Sequence, residues 1–138
     1  MISKIIVDTD LLADHLLQRS GVSLLRTIMG RFFCYTTVFN AIELFALAES
    51  EKEIRAVNDA MDTMKILGVN SKSAATFGKL LAKSRRKKVP DVAALIAGVC
   101  IESKLPIVSL NPKRFFSVKE VKVIHARELK FRIKNVNI

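Results

Sequence analysis

The feature that most constrains the fold of this chain is the alternation of short apolar runs with longer segments of helical periodicity. The runs at 2–7, 32–36, 66–69, 106–110 and 121–124 are mostly aliphatic or aromatic, and they predict strands. Short apolar strands that alternate with helices indicate a parallel sheet covered on both faces. We therefore expect an α/β protein, a three-layer α/β/α sandwich around a central, mainly parallel sheet. The helices are predicted at 11–18, 22–29, 37–50, 51–67, 71–83 and 91–103.

Length and composition predict one domain. The chain has 138 residues, half of them hydrophobic, which is enough to bury a full core without disulfides or a structural metal. No internal repeat, low-complexity tract or Pro/Gly-rich linker divides the chain, so we predict a single domain over 1–138 with a basic C-terminal tail from about residue 126. Cys34 and Cys100 lie far apart in apolar stretches and are expected to be buried, reduced thiols.

Neither a signal peptide nor a membrane span is predicted. Asp8, Asp10 and Asp14 interrupt the N-terminal apolar stretch, which a signal peptide would keep apolar. The longest apolar run, 92–101, is much shorter than the roughly 20 residues that a bilayer requires. We expect a cytoplasmic protein without a membrane partner.

The chain is strongly basic, with a formal net charge of +10. One basic region is 83–88, and the other runs from Lys113 to Lys134. Positive charge of this density favours nucleic acid through phosphate neutralisation and counterion release. The alternatives are solvated surface charge or a docking site for an acidic protein.

Several polar residues stand where carboxylates are rarely left without a partner. Asp8 closes the first predicted strand, Glu43 lies in a helix that is apolar nearly all round, Asp91 opens another apolar helix, and Asn111 follows the run at 106–110. Because the carboxyl ends of parallel strands share one rim, we expect Asp8 and Asn111 to lie on it together. Oxygen ligands of this kind suit magnesium or manganese. His15 and His125, by contrast, lack zinc-binding spacing.

Each of these residues also has a simpler interpretation. Asp8 and Asp91 could cap helices, Glu43 could pair with a buried Lys or Arg, and Asn111 stands in an ordinary Asn-Pro turn. No glycine-rich phosphate loop is present, which argues against a nucleoside-triphosphate enzyme.

Four segments together resemble the PIN domain, and within it the small single-domain VapC-type toxins. They are Ile6-Val7-Asp8-Thr9-Asp10-Leu11-Leu12, residues 37–44 around Glu43, residues 89–97 around Asp91, and residues 107–115 around Asn111. The resemblance implies a parallel sheet between helices, with acidic residues clustered at one rim. It also implies an endoribonuclease that uses Mg²⁺ or Mn²⁺, dimerises, and is held inactive by a small cognate antitoxin.

The resemblance assigns roles to particular residues. Asp8, Glu43 and Asp91 would be the catalytic, metal-binding carboxylates, and Asn111 would bind metal weakly or through water. The supporting positions are Thr9, Asp10, Thr37, Asn40 and Ser109. The side chains expected to hold the RNA backbone are Lys83, Arg85, Arg86, Lys87, Lys88, Lys113 and Arg114.

Two other functions compete with this hypothesis. A PIN-like module could bind RNA or a partner through its basic face without cleaving anything, which the neutral Asn111 would allow. Asp8-Thr9-Asp10 after a strand also resembles the first motif of haloacid-dehalogenase-type phosphatases. That family needs Thr or Val where Leu12 stands and a later paired-Asp segment, which is absent downstream of Asp91.

Overall fold

A parallel five-stranded sheet organises the protein. The computed structural model describes residues 3–17 and 21–129. The strand order is β3-β2-β1-β4-β5, and every pairing is parallel. The strands are β1 (Lys4–Val7), β2 (Phe33–Thr37), β3 (Lys65–Leu67), β4 (Ile107–Ser109) and β5 (Val123–His125). The α-helices are α1 (Thr9–Leu17), α2 (Leu24–Met29), α3 (Val38–Leu47), α4 (Glu51–Met61), α5 (Ala74–Arg86) and α6 (Asp91–Ser103), with 3₁₀ turns at Ser71–Ser73 and Pro112–Phe115.

The central strand divides the core into two layers. Ile5 and Val7 belong to a buried cluster with residues of α1, α2, α3 and α4, whereas Ile6 belongs to a second cluster with α6 and Phe115. This separation follows from the period of two along a strand, which sends alternate side chains to opposite faces. The three-layer α/β/α fold predicted from the sequence is therefore confirmed.

The topology brings several chain segments to one rim of the sheet. β1 pairs with β2 on one side and β4 on the other, so Val7, Thr37 and Ser109 end their strands at the same edge. α1 and α3 begin at this rim because they follow β1 and β2 directly. α6 leads into β4 and runs back across the sheet, which places its first residue, Asp91, at the rim as well.

Three predictions about helices and thiols need correction. α4 ends at Met61 instead of continuing to 67. α3 is not buried all round, since Ile42 is 57% exposed and Leu47 is 65% exposed; one stripe of α3, with Ala41 and Leu44, faces the core. Both cysteines are free, but Cys34 is only half-buried, whereas Cys100 is buried as expected.

The last described residues lie against the core. Residues 126–129 form a helical turn, and Ala126 and Leu129 are buried in the cluster that contains Ile5. The rest of the predicted basic tail, 130–138, lies outside the described residues. Within the part of the chain that the structure describes, no helix is long and apolar enough to cross a membrane.

Candidate active site

Asp8 is the most deeply buried carboxylate of the rim, with 1% of its side chain exposed. Its Oδ1 accepts hydrogen bonds from the Thr9 backbone nitrogen at 2.8 Å and from Asn40 Nδ2 at 3.1 Å. Its Oδ2 accepts from Ser109 Oγ at 2.8 Å. Burial raises the pKa of Asp8 above its ordinary value, and the nearby Arg114 guanidinium only partly offsets this effect. The side chain is thus held from three elements, which goes beyond the helix cap that sequence alone allowed.

Asn40 connects the start of α3 to this carboxylate. Thr37 caps α3 by accepting the Asn40 backbone N–H at 3.1 Å, and Asn40 Oδ1 accepts the Thr37 backbone N–H at 3.2 Å. This reciprocal capping box fixes the Asn40 rotamer. Asn40 Nδ2 is then free to donate to Asp8 and, at 2.9 Å, to Thr9 Oγ1. Two predicted supporting residues, Thr37 and Asn40, therefore orient the Asp8 side chain.

Glu43 lies one helical turn further along α3, with 26% of its side chain exposed. Its Oε1 accepts a hydrogen bond from Thr9 Oγ1 at 2.5 Å. Thr9 thus accepts from Asn40 and donates to Glu43, so a continuous chain of hydrogen bonds links Asp8 to Glu43.

Arg114 bridges the two carboxylates. Its NH2 lies 2.5 Å from Asp8 Oδ1 and 3.1 Å from Glu43 Oε1, and its NH1 lies 3.1 Å from Glu43 Oε2. Burial acts to raise the pKa of Glu43, but the hydrogen bonds from Arg114 and Thr9 outweigh it and hold that pKa below its ordinary value. Burial acts to lower the pKa of Arg114, but the two carboxylates raise it instead. Arg114, expected to face RNA phosphate, is bound here to two predicted metal ligands.

Asp10 and Ser109 close the neighbouring loop. Asp10 accepts the backbone N–H of Leu110 at 3.1 Å and that of Asn111 at 2.8 Å, and its Oδ2 lies 3.0 Å from Ser109 Oγ, whose single hydroxyl hydrogen is shared between Asp8 and Asp10. The start of α1 is therefore tied to the segment that follows β4. Asn111 is exposed at this position. The hydrogen bond from its backbone nitrogen to Asp10 holds its backbone in place.

Asp91 stands apart from Asp8 and Glu43 in its contacts. Arg85 Nε lies 3.0 Å from Asp91 Oδ1 and Arg85 NH2 lies 2.8 Å from Asp91 Oδ2. This hydrogen-bonded pair is exposed, and it lowers the pKa of Asp91. Within residues 3–17 and 21–129, no group of three or more His, Cys, Asp or Glu side chains is placed to hold a metal ion. The structure thus joins Asp8 and Glu43 and leaves Asp91 paired elsewhere.

The predicted RNA-binding side chains at the end of α5 are partly engaged with the segment before β5. Lys83 pairs with Glu120 at 3.3 Å, and Lys87 Nζ donates to the Ser117 carbonyl at 3.2 Å. Arg86, Lys88 and Lys113 are exposed and make no ion pair within the described ranges. Among the predicted RNA-binding side chains, these three are the most available to an anionic ligand.

Sequence reasoning missed the role of Arg114 in this cluster and the contacts of Glu120. The sequence does contain one signal for Arg114, because a half-buried glutamate on an apolar helix calls for a cation. It does not indicate which of the chain's 23 Lys and Arg residues supplies that cation.

Comparisons with known proteins bear on the fold. No family model and no curated protein sequence matches the chain. Solved structures do match. A chain of DNA-bound VapBC from Salmonella typhimurium has a TM-score of 0.75 and 17% identity, with 91% of this chain and 99% of that chain covered. A chain of VapBC2 from Rickettsia felis, bound to a promoter DNA fragment, has a TM-score of 0.73 and 14% identity, with 88% and 98% covered.

A third match is VapBC-5 from Mycobacterium tuberculosis, described as a member of a family of toxin–antitoxin systems. Its TM-score is 0.61 at 18% identity, and the match covers 89% of this chain and 98% of that one. At such identities the likeness shows the fold. The chain has the PIN-like α/β fold of the VapBC structures, as its sequence motifs predicted.

Proposed function

We propose that this protein is a metal-dependent endoribonuclease, the toxin of a VapBC-type toxin–antitoxin pair. The observation that supports this most directly is the convergence of Asp8 and Glu43 on one cationic group at the carboxyl end of the central strand. A buried carboxylate held by Asn40 and Ser109 is a preorganised site for positive charge. The site lies at the carboxyl ends of parallel strands, the usual location of ligand sites in α/β sheets, which supports the proposal.

The donor atoms fit magnesium or manganese in part. Asp8 and Glu43 supply carboxylate oxygens, and hard divalent cations prefer oxygen ligands. Asp91 lies at the same rim but would have to leave Arg85 to join them. Asn111, exposed beside the site, fits a weak contact or one made through water. The proposed metal set therefore remains Asp8, Glu43 and Asp91, with Asn111 as a minor ligand.

The chain's own residues have distinct roles in this proposal. A bound divalent metal would lower the pKa of a water molecule and offset charge on the scissile phosphate. Asn40 and Ser109 fix the Asp8 carboxylate, and Thr9 fixes that of Glu43. Arg86, Lys88 and Lys113 would neutralise RNA phosphates through their uncompensated charges.

The proposal includes partners. The matched structure from Mycobacterium tuberculosis belongs to a toxin–antitoxin family. We propose that the present protein is a cytoplasmic homodimer that binds a small cognate antitoxin, with RNA as its substrate.

A second candidate function is a PIN-like module that binds RNA or a partner without cleaving it. Two contacts favour it: Arg114 already neutralises Asp8 and Glu43, and Arg85 already neutralises Asp91. Carboxylates that are permanently paired with these arginines would not bind a metal ion.

One experiment separates the two functions. Metal-stripped protein is mixed with end-labelled single-stranded RNA, and Mn²⁺ or Mg²⁺ is then added, followed by a chelator. The nuclease predicts cleavage that starts with metal and stops with chelator. RNA binding in a gel-shift assay, with no cleavage at any metal concentration, would support the non-catalytic module instead.

A further inference from the structure

Arg114 occupies the position between the two carboxylates that the proposed nuclease would need for a cation. Its guanidinium makes three hydrogen bonds, one to Asp8 and two to Glu43. The group carries one positive charge against two negative ones, and 27% of its side chain is exposed. The carboxylate pair is therefore already in contact with a cation that belongs to the chain itself.

Most of the lone pairs on the oxygen atoms that Arg114 contacts are already used by hydrogen bonds. Asp8 Oδ1 accepts from Thr9, Asn40 and Arg114, although a carboxylate oxygen offers only two lone pairs. Both oxygens of Glu43 also accept from Arg114. A metal that bonded directly to these atoms would meet the guanidinium at hydrogen-bond distance, where like charges repel.

We propose that Arg114 is an internal competitor for the metal, so that a divalent cation binds Asp8 and Glu43 only when the Arg114 side chain has moved out. This inference rests on the proposed function, and it adds an autoinhibited state to that function. The observed metal affinity then depends on the fraction of molecules in which Arg114 has left Asp8 and Glu43.

The local structure allows this movement. Arg114 lies in the 3₁₀ turn Pro112–Phe115, and the next residue, Phe115, is fully buried in the second core cluster. Phe115 anchors the turn, while the partly exposed Arg114 side chain has a route to solvent. A rotamer change that moved the side chain out would also break its contact with the Phe115 ring, whose centroid lies 5.0 Å from Arg114 Cζ.

The experiment measures metal affinity by calorimetry. Metal-stripped wild type, Arg114→Gln and Arg55→Gln are titrated with Mn²⁺. If the closed arrangement holds about 90% of the molecules, Arg114→Gln binds roughly tenfold more tightly than wild type. Arg55→Gln, which makes the same change at an exposed position on α4, changes the affinity by less than about twofold because exposed charges are screened.

Thermal unfolding gives a second readout. Metal-free Arg114→Gln should unfold at a lower temperature than wild type, since it leaves two carboxylates without their cation. Added Mn²⁺ should raise that temperature more than it does for wild type. Should the Gln variant fail to fold, Arg114→Lys serves instead: it keeps the charge but cannot bridge both carboxylates, and it should bind metal with intermediate affinity.

Equal Mn²⁺ affinity of wild type and the folded Arg114 variant would overturn the inference, as would a failure of both to bind metal. RNA cleavage by the same samples tests the proposed function separately. Tighter metal binding by Arg114→Gln without any cleavage would refute the nuclease and leave the competition between Arg114 and metal standing.

Discussion

The Asn40 side chain couples the capping box of α3 to the Asp8 carboxylate, with Nδ2 3.1 Å from Asp8 Oδ1. Asn40 is fully buried, and its Oδ1 accepts from Thr37. One residue thus holds the helix start and orients the most deeply buried acid of the rim.

Replacing Asn40 with Ala should therefore lower the free energy of unfolding by about 1–3 kcal/mol, because buried partners lose their hydrogen bonds. Urea denaturation would measure this change. Asn58→Ala is the matched control, since Asn58 is exposed on α4 and should change stability by no more than about 0.5 kcal/mol. Similar small effects at both positions would contradict the role assigned to Asn40.

The packing of α5 on α6 gives a second prediction through two glycines. A Cβ at Gly98 would lie 2.5 Å from Phe77 Cε2, whereas a Cβ at Gly78 would meet nothing within 4 Å. Phe77 is buried and its ring would have to shift to make room, so Gly98→Ala should destabilise the protein by about 1–3 kcal/mol. Gly78→Ala should stabilise it by about 0.5–1 kcal/mol through helix propensity. Thermal unfolding of both variants would check the opposite signs, and equal effects would show that this packing is wrong.

RNA binding should depend unequally on the two arginines at the end of α5. Arg85 is already compensated by Asp91, whereas Arg86 makes no ion pair within the described ranges. In a plot of log affinity against log salt, Arg86→Ala should therefore reduce the magnitude of the slope by about 1, and Arg85→Ala by less. Charge reversal at both positions should weaken binding further. A larger effect from Arg85 than from Arg86 would mean that RNA takes Arg85 away from Asp91.

The thiols should be nearly inert in the native protein. Burial raises the pKa of Cys34 to about 11 and that of Cys100 to about 12. At about pH 8 only around one Cys34 in a thousand is ionised, so alkylation should be slow and should rise about tenfold per pH unit up to the pKa. Cys34 should react before Cys100 because it is only half-buried. Mass spectrometry of the alkylated protein would give the order in which the two cysteines react. Rapid labelling of both cysteines at neutral pH would contradict the burial described for them.

The sequence predicted the sheet well because each strand is a short apolar run, and Ile5, Ile6 and Val7 are all fully buried. It also predicted that Asp8 and Asn111 share one rim, because both lie at or just beyond the ends of strands. The partner of Glu43 could not be predicted, because Arg114 lies 71 positions away and reaches it through a 3₁₀ turn. Nor could the pairing of Asp91 with Arg85, which depends on the turn after α5 where Lys88 adopts a φ of 60°.

The Asp8→Asn variant tests the central claim that Asp8 belongs to a metal-dependent nuclease site. Asn retains the hydrogen bonds of Asp8, because its Oδ1 can accept from Thr9 and Asn40 while its Nδ2 donates to Ser109 Oγ, and it loses only the charge that pairs with Arg114. Folding should therefore be retained, and the neutral side chain should lose its hold on a divalent cation.

The measurement is RNA cleavage with Mn²⁺ added back to metal-stripped wild type, Asp8→Asn and Asp14→Asn, prepared in parallel. Asp14 is an exposed carboxylate on the same helix, so its variant makes the same chemical change away from the site. Cleavage by wild type and Asp14→Asn, together with loss of cleavage in a folded, RNA-binding Asp8→Asn, is the predicted result. Equal cleavage by all three proteins, or by none, would contradict the account.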